Sequence, residues 1–304
     1  MTDPKPTLLC VGETMVEMIV SPDAAAAKLG FAGDTMNTAI YAARGGAKVS
    51  YASAVGQDRL SDALLSFAQS YGVGTEGIAR SDSRSIGLYA IETDATGERS
   101  FQYWRDTSAA RHMFGPDTAP DFSALAGADV VYFSGITLAI LTPAVRAALL
   151  NHLKGLKAKG VRIAFDSNYR PALWEGPATA RATIRAAWEI SDIGFPSIDD
   201  EMALFDELPM AVVARLSATS MQICVLKQGA EGPRIIHPTA QRGDVADCPQ
   251  ATSVLDTTGA GDSFNGTFLA AYLSGATPPE AAREAHAMAS RVVGTPGAIM
   301  APDA

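Results

Sequence analysis

Basic charge is scarce in this chain of 304 residues: 24 lysines and arginines face 33 aspartates and glutamates, a net charge of −9 at neutral pH. A nucleic-acid or anionic-membrane surface needs a basic footprint, so the balance argues against both as partners and leaves room only for local basic pockets. Cysteine is scarcer still. Cys10, Cys224 and Cys248 are odd in number and lack CxxC spacing, and the first two lie inside apolar runs. Free thiols in a reducing, cytoplasmic setting are therefore expected rather than a disulfide framework. The four histidines, His112, His152, His237 and His286, are scattered, which argues against histidine-based chemistry and, with so few cysteines, against a zinc cluster. Long apolar runs are missing as well. The segment from Val130 to Leu150 comes nearest to bilayer length, but Gly135, Pro143 and Arg146 interrupt it. The first residues lack a basic stretch followed by a long apolar one, so no signal peptide is expected. Two nucleotide-binding motifs are absent too. There is no GxxxxGK[ST], which argues against a P-loop kinase. Val11-Gly12-Glu13-Thr14 stands where a dehydrogenase would carry GxGxxG.

What is present is enough apolar side chain, 47% of the residues, to bury a full core. Short β-branched runs alternate with stretches of helical period, the pattern of βαβ units. Strands are expected at Thr7 to Val11, Val49 to Ala52, Val130 to Phe133, Arg162 to Phe165, Ile190 to Phe195 and Gln222 to Leu226. Helices are expected at Thr35 to Ala43, Arg59 to Tyr71, Thr142 to Lys159 and Ala178 to Glu189. Thr142-Pro143 reads as a capping threonine with proline in the first turn. A three-layer α/β fold with a mostly parallel sheet follows. Met15 to Val20 and Ile86 to Tyr103 break the pattern, because they read as strands without helical crossovers. Asp94-Ala95-Thr96-Gly97, between Ile91 and Phe101, signals a hairpin turn. Antiparallel strands drawn from about 13–34 and 84–106 would stand apart as a lid on a single domain covering 1–304.

The most informative stretch is Asp256 to Gly266, DTTGAGDSFNG. Gly259, Ala260 and Gly261 leave consecutive backbone amides uncovered just before an apolar helical run, Phe264, Phe268, Leu269 and Tyr272. Amides at a helix N-terminus bind anions. Asp262 sits where a hydroxyl approaching a bound phosphate could lose its proton. Alone, Gly-Ala-Gly is also an ordinary tight turn. Lys227-Gln228-Gly229-Ala230-Glu231-Gly232 follows the strand ICVL, at the strand end where open α/β sheets bind ligands. Near the other end, Gly33-Asp34-Thr35-Met36-Asn37 opens a helix, and a carboxylate and an amide there can hydrogen-bond the hydroxyls of a sugar.

These strings resemble the signatures of the ribokinase-like (PfkB) carbohydrate kinases: the C-terminal GAGD step, the K-x-G-x-x-G turn, and the N-terminal glycines with Asn37, Gly46 and Gly56. Thr267 stands where that family usually has glycine or alanine. Three further strings, GLYAIETDATGERSFQYWR, SGITLAIL and DSNYRPALW, resemble the members that act on 2-keto-3-deoxygluconate. The resemblance runs over nearly the whole chain. It implies a three-layer fold with a β lid, and ATP-dependent phosphorylation of the sugar acid to its 6-phosphate. It assigns Asp262 as base, with Gly259, Ala260 and Gly261 as the anion hole. It places the substrate against Gly33, Asp34, Asn37, Tyr89, Tyr103, Arg105 and Arg170. It places ATP against Ser197, Lys227, Gly229, Gly232, Thr258, Gly259 and Gly261.

The same resemblance implies Mg²⁺ arriving with ATP. The usual N-x-x-E motif is replaced by Ser197-Ile198-Asp199-Asp200, which leaves Asp200 for the acidic role through water. It also puts part of a monovalent-cation site, for K⁺, at Asp256 and the Thr258 carbonyl, and implies a homodimer or larger homo-oligomer through the lid. Arginine chemistry agrees with an acid substrate, since the planar guanidinium matches a carboxylate in two hydrogen bonds. Gln102 stands where those members often have tyrosine. Other specificities on the same fold stay open, among them 2-keto-3-deoxygalactonate, fructose and ribose. So does a non-catalytic sugar-acid sensor, although a sensor has no need of a base.

Overall fold

Strand and helix alternate through the residues described by a computed structural model of the chain, 5–21, 23–93, 99–236 and 243–301. The first half contains β1 (Thr7–Val11), β2 (Met15–Val20), β3 (Ala27–Ala32), α1 (Asp34–Arg44), β4 (Lys48–Val55), α2 (Arg59–Ser70), β5 (Val73–Arg80), β6 (Leu88–Thr93) and β7 (Arg99–Trp104). Next come β8 (Val130–Ser134), α3 (Gly135–Ile140), α4 (Pro143–Ala158), β9 (Arg162–Asp166), α5 (Pro177–Ile190) and β10 (Ile193–Gly194). The last part holds α6 (Ile198–Phe205), α7 (Pro209–Ser217), β11 (Ile223–Lys227), β12 (Pro233–Ile236), β13 (Gly243–Asp244), α8 (Ala260–Leu273) and α9 (Pro278–Val292).

Nine strands form the main sheet in the order β13-β12-β11-β10-β9-β8-β1-β4-β5. From β11 to β5 every pair is parallel, and β12 and β13 close that edge in antiparallel fashion. Alternating side chains of the strands separate two apolar layers. Leu8, Cys10 and Tyr132 pack with Met36, Ile40, Phe264 and Phe268 from α1 and α8. Leu9, Val11 and Phe133 face the other way, against Leu149, Ile184 and Leu216 from α4, α5 and α7. Both faces are covered, so the strands read as continuous apolar runs rather than alternating ones. Fully buried Phe268 sits edge-on to Phe195 at 5.3 Å, and truncating such a ring costs about 3–5 kcal/mol.

The expected three-layer architecture is the observed one, with local differences. Ile190 still belongs to α5, so the expected strand shortens to Ile193–Gly194, and Asp192 just before it accepts from the Ile163 amide at 2.9 Å. Thr142 caps α4 as read, accepting from the Val145 amide. Four strands form the second sheet, in the order β3-β2-β6-β7. It is not wholly antiparallel. Its two outer pairs are, but β2 and β6 run parallel, since the chain passes through α1, β4, α2 and β5 between them. The turn read at Asp94 to Gly97, like His237, lies outside the described residues. No described helix is long and apolar enough to cross a membrane.

The topology aims four segments at one place. Gly12 to Thr14 after β1, Ser134 at the end of β8, Asp166 to Arg170 at and after β9, and Lys227 at the end of β11 all lie at the carboxyl edge of the parallel sheet. Open α/β sheets bind their ligands at that edge.

Candidate active site

Helix α8 begins at the carboxyl edge with Gly259 as its cap, in the left-handed region at φ 75°. A Cβ on Gly259 would also lie 2.6 Å from that of Ala298, so both backbone and packing demand glycine. The amide of Ala260 makes a long 3.3 Å turn bond to the Thr257 carbonyl, and Ser263 donates to the Gly259 carbonyl at 2.8 Å. The cradle of first-turn amides is thus carried mainly by Gly261, Asp262 and the Gly259 step, with Ala260 partly engaged.

Asp262 is held from the side by α1. Gly266, one turn further along α8, lets the two helices touch, since a Cβ there would lie 2.3 Å from the Thr38 carbonyl. At that closeness the Asn37 side-chain amide donates to Asp262 Oδ2 at 2.8 Å, and Thr38 Oγ1 donates to the Asp262 carbonyl at 3.3 Å. Burial, and then the neighbouring Asp34, raise the Asp262 carboxyl from its usual range to about 7, against the lowering effect of Asn37. A carboxylate poised near neutral pH is matched to taking a proton from an alcohol. Gly33 caps α1 and accepts from the Asn37 amide at 2.8 Å. Asp34, first residue of the helix, accepts from Asn168 Nδ2 at 2.9 Å, and burial pushes its carboxyl up.

A second layer of polar groups lies under this pair. Lys227 Nζ is 2.7 Å from Asp166 Oδ2, and Asn265 Nδ2 donates to the same oxygen at 2.6 Å and to the Tyr132 hydroxyl at 3.0 Å. The sequence reading passed over Asp166, Asn168 and Asn265. DSNYR pointed only to its arginine, and Asn265 stood without a role inside DTTGAGDSFNG. The signal available was a polar residue in an otherwise apolar helix, Asn265 being wholly buried on α8.

The lid residues gather above. The Tyr89 hydroxyl donates to Glu17, its ring stacks on Tyr103 at 5.7 Å, and the Arg105 guanidinium lies 6.0 Å from the Tyr103 ring. Arg105 is buried in an ion pair with Glu13, whose other oxygen accepts from Ser108 at 2.5 Å. Arg170 stands apart from this group. About half exposed, it donates to the Tyr169 carbonyl and lies 3.6 Å from Asp200 Oδ1. Asp200 also accepts from the Tyr169 amide at 3.2 Å, and burial raises its carboxyl, with Arg170 opposing. Its neighbour Glu201 turns into the core instead, against Arg215 at 2.9 Å.

Two cavities flank the centre. One, of about 410 Å³, is walled by Lys227, Gly229, Gly232 and Gly261, and by Val254 and Phe264, which the sequence reading did not pick. Gly229 and Gly232 both adopt positive φ, which fixes the turn after β11. Ser197 touches this wall through a bridge to Lys227. Thr257 rather than Thr258 lines it. Thr258 and Asp256 border the other cavity, of about 390 Å³, which opens toward Glu17 and Lys28 of the lid. Asp256 accepts from the amides of Thr258 at 3.0 Å and Gly297 at 2.7 Å, tying two loops together behind the cradle. Among the described residues no cluster of three or more acidic, histidine or cysteine side chains could cage a metal.

An amide cradle at a helix start, a near-neutral carboxylate beside it, a cavity on one side and a polar lid on the other define a phosphotransferase acting on a polyol. The comparisons give the family: residues 5–304 match the pfkB family carbohydrate kinase model, and the chain belongs to that family. It is 39% identical over 300 residues to the 2-dehydro-3-deoxygluconokinase of Dickeya dadantii, covering 95% of each chain. The crystal structure of a PfkB protein from Polaromonas sp. JS666 superposes with a TM-score of 0.83 at 28% identity, over 95% of this chain and 96% of that one. A fructokinase from Xylella fastidiosa with bound ATP shares the fold at a TM-score of 0.82 and 23% identity, covering 97% and 94% of the two chains. The three-layer sandwich with its lid sheet is therefore the ribokinase-like fold.

Proposed function

We propose that this carbohydrate kinase transfers the γ-phosphoryl group of ATP to the terminal hydroxyl of 2-keto-3-deoxy-D-gluconate, giving the 6-phosphate and ADP. The observation that carries the reading is Asp262, a carboxylate raised to about 7 beside the cradle amides at the start of α8. The substrate's hydroxyl gives its proton to Asp262 as its oxygen bonds to phosphorus, and the bond from phosphorus to the leaving ADP oxygen breaks. Amides of Gly259, Gly261 and Asp262 take the charge on the transferring group. The cavity behind Gly229 and Gly232 suits the nucleoside end.

For the acceptor, the likeness to the 2-dehydro-3-deoxygluconokinase of Dickeya dadantii and the arginines point the same way. The Asn37 amide nitrogen is spent on Asp262, but its buried Oδ1 has no partner among the described residues and suits a sugar hydroxyl beside Asp34 and Gly33. Tyr89, Tyr103 and Arg105 form the lid side, with Arg170 at the rim. Each arginine already carries a carboxylate, so the acid is gripped by shared cations rather than free ones. Magnesium bound to ATP would supply positive charge to its phosphates. Asp200, directed toward Tyr169 and Arg170 rather than into the core, is the residue to order its waters. Asp256 and the Thr258 carbonyl fit a monovalent cation, K⁺, behind the cradle. We further assign the whole chain, 1–304, to one catalytic domain, with the cytoplasm as its place, in keeping with free thiols at Cys10, Cys224 and Cys248. The exposed Phe101, Tyr103 and Trp104 of the lid suit a homodimer contact.

One assay tests the reading: coupled ADP release with gluconate-derived and galactonate-derived keto-acids and with fructose and ribose. Turnover of the gluconate-derived acid at the highest kcat/KM is the expected result. A higher value with a neutral sugar would overturn the acid assignment.

A further inference from the structure

The last residue of β11, Lys227, begins the glycine turn that walls the nucleotide-side cavity, yet its side chain does not follow the turn. Its Nζ lies 2.7 Å from Asp166 Oδ2 and 3.3 Å from Asn265 Oδ1, and only 14% of the side chain is exposed. A Cβ built on Gly261 would sit 3.5 Å from that nitrogen. The ammonium therefore rests on the cradle itself, between the cavity and Asp262.

Its anchors are fixed in turn. Asp166 accepts from Asn265 Nδ2 and from the Asn168 amide at 3.1 Å, and Asn265 is pinned to the Tyr132 hydroxyl. An ammonium has three donors. Two are spent below, and the third has no partner among the described residues. The other cations near the site are committed to carboxylates of their own, Arg105 to Glu13 and Arg170 to Asp200.

We propose that Lys227 is a catalytic residue of phosphoryl transfer, its third N–H binding an oxygen of the transferring group over Gly261, with Asp166 and Asn265 as its positioning residues. The inference rests on the reading of Asp262 and the cradle as the transfer centre. Its logic is electrostatic. Charge in the transition state spreads over three phosphoryl oxygens, and dipoles of the backbone amides meet only part of it. Without Lys227, a polyanionic nucleotide would meet Asp34 from α1, Asp166 from β9 and Asp262 from α8, and among the described residues no other lysine or arginine is in direct contact with these carboxylates. The tyrosines that also face Asp262, Tyr41, Tyr89 and Tyr132, bring no positive charge.

The test uses the full chain with Lys227→Met, Lys227→Arg and Asp166→Asn, measuring kcat, both KM values, pH profiles and melting temperatures. Lys227→Met should lower kcat on the order of 10²-fold, as loss of one transition-state donor does, with KM for the acceptor changed only a few-fold. The acidic limb of kcat should move to higher pH, because Lys227 lowers the Asp262 carboxyl; in Asp166→Asn it should move to lower pH, because Asp166 raises it. Lys227→Arg should recover part of the turnover. Lys227→Gln carries the same test should the methionine variant not fold. A kcat within a few-fold of wild type, an unmoved limb, or a loss confined to KM for ATP would overturn the proposal. Asp262→Asn run in parallel separates the two ideas: normal turnover there dismisses the transfer centre as a whole, whereas an inactive Asp262→Asn beside a normal Lys227→Met dismisses only the role of the lysine.

Discussion

At the proposed transfer centre Lys227, Asp166 and Asn265 bind one another and are tied on to Tyr132 and Asn168, whereas in the lid the Tyr103 ring is half exposed and Arg105 rests on Glu13 and that ring. The two regions solve different problems. Phosphoryl transfer needs charges that do not move when charge develops, and cross-linked groups on helix and strand ends provide that. An acceptor site must open to admit its substrate and close to exclude water, and a few aromatic contacts on a separate sheet leave it free to do so. Substitutions at the centre should therefore act on turnover, and those in the lid on affinity and stability.

The largest effect is expected where the centre is broken outright. Asp262→Asn keeps the amide cradle and the Asn37 contact but removes the proton acceptor. Turnover should fall by roughly 10²-fold or more while ATP binding, followed by calorimetry, stays within a few-fold. A kcat close to wild type would place the base elsewhere.

Next in size is the lid's buried ion pair of Arg105 with Glu13. Arg105→Leu leaves the Glu13 carboxylate buried without its cation, which typically costs about 3 kcal/mol of folding stability. Adding Glu13→Gln should return part of that loss in urea titrations, although the acid's KM stays high. If the double variant is no more stable than Arg105→Leu alone, the pair is not what holds this corner of the lid.

Arg170 sharpens the contrast, because it belongs to neither region fully. Half exposed, and 3.6 Å from Asp200, it cannot give a substrate carboxylate the full strength of a buried bidentate pair. Arg170→Leu should raise KM for the keto-acid by about 5–30-fold, equal to about 1–2 kcal/mol. KM for ATP should change little. Equal losses with acid and neutral acceptors would show that Arg170 serves Asp200 rather than the substrate.

The same contrast governs what could be read from the chain. DTTGAGD, KQGAEG and GDTMN are contiguous, and each falls at a strand end or helix start, where local sequence dictates geometry. The inner parallel strands β1, β4, β8, β9 and β11 were legible as apolar runs because both of their faces are buried, whereas the edge strand β5, largely uncovered, was not. β12 and β13 were not, being too short for a periodic signal, and β10 was read longer than it is, as Ile190 to Phe195. Charge pairing was invisible for another reason. Arg105 meets Glu13 across 92 residues of chain, and Lys227 meets Asp166 across 61, so the arginines read as free cations when each already held a partner.

The smallest expected effect, a few degrees in melting temperature, tests whether the centre carries the cost of its own poise. Burial and Asp34 raise the Asp262 carboxyl to about 7, far above the unfolded chain's 3.8. Between those two values the native state holds a proton that the unfolded state has released. Stability from this group is therefore greatest at low pH and is lost as pH rises toward about 7. Above that, a charged carboxylate sits in a site that disfavours it. Asp262→Asn should then melt higher than wild type at pH 8, and the gain should shrink steadily as pH falls to about 4, where the wild-type carboxyl is protonated as well. The shift expected is about 2–4 °C for each kcal/mol relieved. Scanning calorimetry of both proteins from pH 4 to 8 decides it. A difference independent of pH would mean that Asp262 titrates as an ordinary carboxylate, and the acidic limb of kcat/KM would then have to come from another group.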